Sequence, residues 1–246
     1  MNEAGLHPVL ADNLRRAGYT STTPIQSYTI PLAMAGRDVL GVSQTGSGKT
    51  VAYLVPVLSK LMGKAKKLSK AKPNPETYDQ KENGITAEPL VLILVPTREL
   101  ALQVYAEARR LCYRSMLRPC CVYGGASVAV QINDLMRGCD ILIGTPGRLA
   151  DIITTRSESV SLKRLRYTIF DEADELMDPD WEQQMAPMLT GASAHHNESR
   201  QFMMFSATFS REAREAAKKY LATDYVKVTV GRLGSTHLNI HQVIVW

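Results

Sequence analysis

What the chain lacks narrows its class first. Among its 246 residues no apolar run is long enough to span a bilayer, and Met1 to Leu10 lacks the basic-then-apolar order of a secretory signal, so an intracellular protein is expected. Cysteine is scarce. Cys112, Cys120, Cys121 and Cys139 show no C-x-x-C spacing and no interleaved histidine, which disfavours a zinc site or a disulfide framework and leaves reduced, mostly buried thiols. Adjacent Cys120 and Cys121, if in a strand, point to opposite faces. His195-His196 falls in a polar loop without a Cys or Asp ligand nearby, a setting that suits solvated side chains. No Asn-Lys-x-Asp motif for reading guanine is present.

What is there supports one sizeable core. With 45% hydrophobic residues and 22% charged ones, the chain reads as a single α/β domain, and its net charge of +5 fits an anionic partner without requiring one. The organising stretch is Ser43-Gln44-Thr45-Gly46-Ser47-Gly48-Lys49-Thr50. It follows the apolar Val39-Leu40-Gly41-Val42 and precedes a helix-compatible run from Val51 to Leu61. Strand, glycine turn and helix start make the context of a phosphate-binding loop. Gly46 and Gly48 let the backbone curl so that several N–H groups face one concavity, and the helix N-terminus adds a field that favours anions. In such a loop Lys49 reaches the terminal phosphates and the Thr50 hydroxyl ligands magnesium. Ser43 stands where the usual pattern has Gly, so the signal rests on Thr45 to Thr50 and their flanks.

A second half-site is Asp171-Glu172-Ala173-Asp174, directly after the β-prone Tyr167-Thr168-Ile169-Phe170. This order places Asp171 and Glu172 at the carboxyl end of a buried strand, where nucleotides bind in open α/β sheets. Asp171 can hold the magnesium, and Glu172 can orient and deprotonate an attacking water. Alone, an acidic quartet also suits a solvated helix start. Beside a phosphate loop the catalytic role is favoured.

Other stretches carry two readings each. Helical spacing predicts a helix over 6–17 ended by Gly18, and Gln26 to Ala35 forms a short helix stopped by Gly36. Gln26 suits either a helix surface or the donor and acceptor pair of an adenine edge, and Tyr19 either a half-buried turn or a stacking ring. From 63 to 88 the chain turns polar, with Lys64, Lys66, Lys67, Lys70 and Lys72, and reads as a mobile surface insertion, with RNA capture as its functional alternative. Leu90 to Val95 is a buried parallel strand turned into a helix by Pro96-Thr97-Arg98-Glu99. There Arg98 can bind phosphate or pair with an acid. Gly124-Gly125 permits a tight turn or close approach of a ligand, and Thr145-Pro146-Gly147-Arg148 again ends a strand. Three such turns on one sheet edge could track a sugar-phosphate backbone, reading phosphates and 2′-hydroxyls rather than bases. None of them carries a stacking ring, and aromatics are only 7% of the chain, so a base-stacking platform is not supported. Ser206-Ala207-Thr208 either caps a strand end or exchanges hydroxyl partners with Asp174. Tyr225 to Val230 and His241 to Val245 read as two further strands.

In this order, Gly18-Tyr19, Thr23-Pro24-Ile25-Gln26, the phosphate loop, Pro96-Thr97-Arg98-Glu99-Leu100-Ala101, Gly124-Gly125, Thr145-Pro146-Gly147-Arg148, Asp171-Glu172-Ala173-Asp174 and Ser206-Ala207-Thr208 resemble the DEAD-box RNA helicases over nearly the whole chain. Asn2 to Tyr19 and Gly138 to Leu149 look most like the Vasa-like branch. The resemblance implies a RecA-like P-loop domain, a largely parallel sheet with helices on both faces, taking ATP and Mg2+. It implies adenine stacked on Tyr19 and bonded by Gln26, and RNA along Pro96, Thr97, Arg98, Gly124, Gly125, Thr145, Gly147 and Arg148. Asp174, Ser206 and Thr208 would couple phosphate state to domain closure. Residues 1–36 would pack on a core of 37–230, with 231–246 leading toward a second RecA-like lobe that supplies an arginine-rich motif. The implied function is the ATP-binding half of an RNA helicase, alone expected to bind nucleotide but not to unwind; the alternative is an ATP-gated RNA clamp or RNP assembly scaffold. Cytoplasm or an RNP granule is expected over the nucleus. Three positions depart from the family pattern. Thr22 replaces a usual proline, Met1 falls near an expected aromatic, and Glu175 stands where many relatives carry a basic residue.

Overall fold

The computed structural model describes residues 5–68, 70–176, 179–190, 200–208 and 211–231. Met1, the His195-His196 pair and the strand expected at 241–245 lie outside them, as does the exit beyond Gly231.

Two helices, α1 (Pro8–Arg16) and α2 (Pro24–Met34), precede an alternation of strand and helix. It runs β1 (Val39–Ser43), α3 (Lys49–Gly63), α4 (Ala65–Leu68), α5 (Gln80–Asn83), β2 (Val91–Leu94), α6 (Arg98–Leu111), β3 (Pro119–Val122) and α7 (Val128–Leu135). It continues β4 (Ile141–Gly144), α8 (Pro146–Thr155), β5 (Tyr167–Phe170), α9 (Ala173–Leu176), α10 (Pro179–Thr190), β6 (Gln201–Ser206), α11 (Arg211–Tyr220) and β7 (Val226–Val230). The strands pair in the order β3-β4-β2-β5-β6-β1-β7, every pair parallel. Parallel strands need crossovers, and helices supply them on both faces.

Alternation along each strand divides the core in two. Val39, Val91, Ile93, Ile141, Ile143 and Phe205 face α1, α2, α3 and α6, whereas Leu40, Leu92, Leu94, Leu142, Phe202 and Met204 face α7 to α11. Cys120 and Cys121 obey the same rule, packing on opposite faces. On β1, one strand in from the β7 edge, Gly41 is obligatory, since a Cβ there would lie 2.6 Å from the Phe205 ring. That ring in turn meets Tyr53 of α3, with centroids 5.2 Å apart. The 63–88 insertion contains α4 and α5 and is tied to the domain. Lys72 donates to Asp140, the Ile85 N–H to the Met136 carbonyl (2.9 Å), and Ala87 bridges to Val160.

Candidate active site

All strands being parallel, their carboxyl ends lie on one edge, and the predicted site residues fall along it in two groups. β1, β6 and β5 end at the phosphate loop, at Ser206 to Thr208 and at the acidic quartet. β2, β4 and β3 end at Pro96 to Arg98, at Thr145 to Arg148 and at Gly124-Gly125.

The phosphate loop is shaped by its glycines. Gly46 and Gly48 have φ of 79° and 92°, the left-handed region open to glycine, and Gly48 leads directly into α3. A Cβ on Gly48 would also sit 2.4 Å from Gln26 Nε2. Gln26 is buried and both ends of its amide are engaged: Oε1 accepts from the Thr23 N–H at 3.0 Å, opening α2, and Nε2 donates to the Gly48 carbonyl at 3.1 Å. Within the loop Ser43 and Ser47 share a hydroxyl hydrogen bond of 2.7 Å, and Lys49 Nζ donates back to the Ser43 carbonyl at 2.9 Å. Gln44, Thr45 and Gly46 complete the loop, Thr45 and Gly46 on its exposed crest. Burial lowers the Lys49 pKa from its ordinary value, opposed by Asp171, Glu172 and Asp174.

Opposite the loop, Asp171 is buried, and Oδ2 accepts from the Tyr53 hydroxyl at 2.9 Å. Burial raises its pKa, against the pull of Tyr53 and Lys49. Glu172 adopts φ 53°, a left-handed turn that is costly for a side-chain-bearing residue and characteristic of functional sites. Burial, then Glu175 and Asp171, push its carboxyl above the usual range. Thr50 and Asp171 both line the cleft between them and offer oxygen donors that could hold a divalent cation. Asp174 Oδ2 accepts from the Thr208 hydroxyl at 2.8 Å, and the Ser206 hydroxyl lies in the same turn, bonded to Thr208.

A cleft of about 420 Å³ joins the loop and the acidic pair to Tyr19, Gln103 and Glu107. The Tyr19 hydroxyl donates to Glu107 at 2.9 Å, and burial with that carboxylate pushes the phenol up to about 12. Neither Gln103 nor Glu107 announced itself in sequence. The only available signal was their spacing of four on one face of α6, shared by any solvated pair. Tyr53, in an apolar helix, gave none.

On the other half of the edge, Thr97 caps α6 by accepting from the Leu100 N–H at 3.3 Å, and the Arg98 guanidinium lies 5.0 Å from the Tyr123 ring centroid. Pro96 is buried and shapes its turn from beneath, whereas Thr97, Arg98, Gly124 and Gly125 are exposed. Thr145 is buried at the end of β4. A Cβ on Gly147 would meet Gln184 at 2.8 Å, so α10 sets how closely that turn approaches. Arg148 donates to the Ala126 carbonyl at 3.0 Å and to Gln131 Oε1 at 3.1 Å. Buried Gln131 also exchanges hydrogen bonds with the Tyr123 backbone, so one amide fastens two of the three turns together. Sequence reasoning missed it.

Residues 23–216 match the model of the DEAD/DEAH box helicase family. The chain belongs to that family. The helicase domain is also similar to the crystal structure of the RNA-helicase Prp28 from Chaetomium thermophilum bound to ADP, with 35% identity and a TM-score of 0.75. The similarity covers 94% of this chain and 50% of that one. It shares the RecA-like α/β fold, and the ADP of that structure accords with a nucleotide site in this domain.

Proposed function

We propose that the intact protein couples ATP binding and hydrolysis to RNA binding and local duplex unwinding, with this chain as its ATP-binding half. The observation that carries the reading is the division of one sheet edge into a phosphate-loop half and a half of three backbone-rich turns. The hydroxyl of Thr50 and the carboxylate of Asp171 suit Mg2+, which takes one or two protein oxygens and fills its shell with phosphate oxygens and water. Bound there, the ion would neutralise phosphate charge. Lys49 would exchange the Ser43 carbonyl for a terminal phosphate. Glu172, its pKa raised toward working pH, is suited to take a proton from the attacking water. Tyr53 would keep Asp171 in place, and the contact between Asp174 and Thr208 would pass the phosphate state to the end of β6. Tyr19 and Gln26 would face the adenine, with Gln26 exchanging a protein partner for the base.

RNA would lie across Thr97, Arg98, Gly124, Gly125 and Gly147, with Arg148 beside it, held by phosphate and 2′-hydroxyl contacts without base readout. A second RecA-like lobe of the same protein would supply the arginine that balances transition-state charge, worth about 10³ or more in rate. Residues 1–246 alone would then bind nucleotide, hydrolyse it slowly and leave duplexes intact.

The test is ATP turnover by the intact protein without nucleic acid, with single-stranded RNA and with matched DNA, alongside Glu172→Gln. Stimulation by RNA over DNA, reduced by roughly 10² or more in the variant, is expected. Equal turnover under all three conditions would remove RNA from the reading. Strand displacement on a short duplex then separates unwinding from an ATP-gated clamp.

A further inference from the structure

The edge of the domain opposite the nucleotide site carries a second built surface. Helix α3 leaves the phosphate loop at Lys49 and ends at Gly63, so its 15 residues carry the chain about 22 Å away at about 1.5 Å per residue. There the end of α3, the start of α4, the turn after α6 and the lead into α1 enclose a groove of about 520 Å³. Lys64, Lys66, Lys67 and Arg114 line it, and no acidic residue does. None of the three lysines forms an ion pair among the described residues, and Arg114, also without one, lies 5.3 Å from the Tyr113 ring centroid and acts at longer range on Asp12.

In a larger groove of about 800 Å³, Arg16 is paired with Asp12 and Arg110 with Glu107, while Arg109 lies over the Tyr105 ring. Beside these cations the lining is apolar, formed by Val9, Met62 and Met116, the last 56% exposed. His7 Nδ1 is buried at the wall without a hydrogen-bond partner. The turn bearing Arg114 and Met116 is held in place, with Asn13 Nδ2 donating to the Tyr113 carbonyl at 2.7 Å and Arg114 fixed at φ 55°.

We propose that this groove docks an acidic peptide segment of a partner protein, seated by an aliphatic side chain on the methionine floor. Three lysines without an ion pair and the Arg114 guanidinium, over an acid-free lining, call for carboxylates, and thioether side chains adapt to irregular apolar ligands. Single-stranded nucleic acid is the weaker match. It would satisfy the cations but leave the floor uncovered, and the groove's one ring, the His7 imidazole, is half-buried at the wall with Nδ1 enclosed. The occupant would sit at the sheet edge away from the nucleotide and so leave that site free.

The probe is a fluorescein-labelled peptide of Asp-Glu-Leu repeated four times, compared by anisotropy on the intact protein with the same peptide carrying Ser for Leu and with a short single-stranded RNA. The leucine peptide should bind about tenfold tighter than the serine peptide. Lys64→Glu combined with Arg114→Glu should abolish that binding, and Met116→Ser should weaken it about tenfold. ADP affinity should not change. Should the charge reversal fail to fold, Lys64→Met with Lys67→Met makes the same test. Equal affinity for both peptides, no binding of either, or variants that lower RNA affinity while sparing the peptide would each overturn the proposal.

Discussion

At Gln26 a single buried carboxamide opens α2 through Thr23 and steadies the phosphate loop through Gly48. A residue that only read adenine would affect ADP and leave GDP alone. One that also shapes the loop affects both, so Gln26→Ala should weaken GDP by about 0.5–1.5 kcal/mol for the lost loop hydrogen bond and ADP by more, in paired calorimetric titrations. Tyr53 makes a similar case on the acidic side. Tyr53→Phe removes a donor to a buried carboxylate, and a loss of about 1.5–3 kcal/mol in urea unfolding is expected, together with weaker magnesium-dependent ADP binding. Local order made Lys49, Thr50, Asp171 and Glu172 legible, because a strand, a turn and a charged or glycine residue follow one another along the chain. Tyr53, Glu107 and Gln131 were not legible. The partners that place them in the site are 118, 88 and 8 or more residues away, and spacing within their own helices marks them only as core or surface.

Between elements, the contact that orders the nucleotide side is β1 lying flat beneath Phe205 of β6, which then meets Tyr53 of α3. Gly41→Ala would drive a methyl into that ring, and overpacking of this kind costs about 1–3 kcal/mol. The expected signature is a lower unfolding midpoint with a matched loss of magnesium-dependent ADP affinity, since the displaced ring pushes on the tyrosine that holds Asp171. The parallel sheet itself was readable from continuous apolar runs such as Leu90 to Val95, which only a sheet covered on both faces can bury. The 63–88 insertion was harder to read. Its ties to Asp140, Met136 and Val160 depend on residues that adjoin it only after folding.

For the molecule as a whole, the thiols give a pH signature. Burial pushes Cys112 and Cys121 up to about 12 from an ordinary 9.0. At pH 8 such a thiol is about 10⁻⁴ ionised, so alkylation by iodoacetamide should be slow until urea unfolds the chain. The unfolded thiols ionise from near 9.0 while the folded ones stay protonated to about 12, so this contribution to stability is intact below pH 9 and declines as pH rises between those values. Urea midpoints at pH 8 and pH 10 measure it. The strand order has a consequence of its own. Three neighbouring strand ends, β2, β4 and β3, sit about 4.8 Å apart, so the turns they carry span about 10 Å. That is the axial length of about three stacked nucleotides at about 3.4 Å each. The sheet edge is thus a ruler with a fixed measure, and a strand laid across this lobe would gain contacts over its first few nucleotides and none from added length.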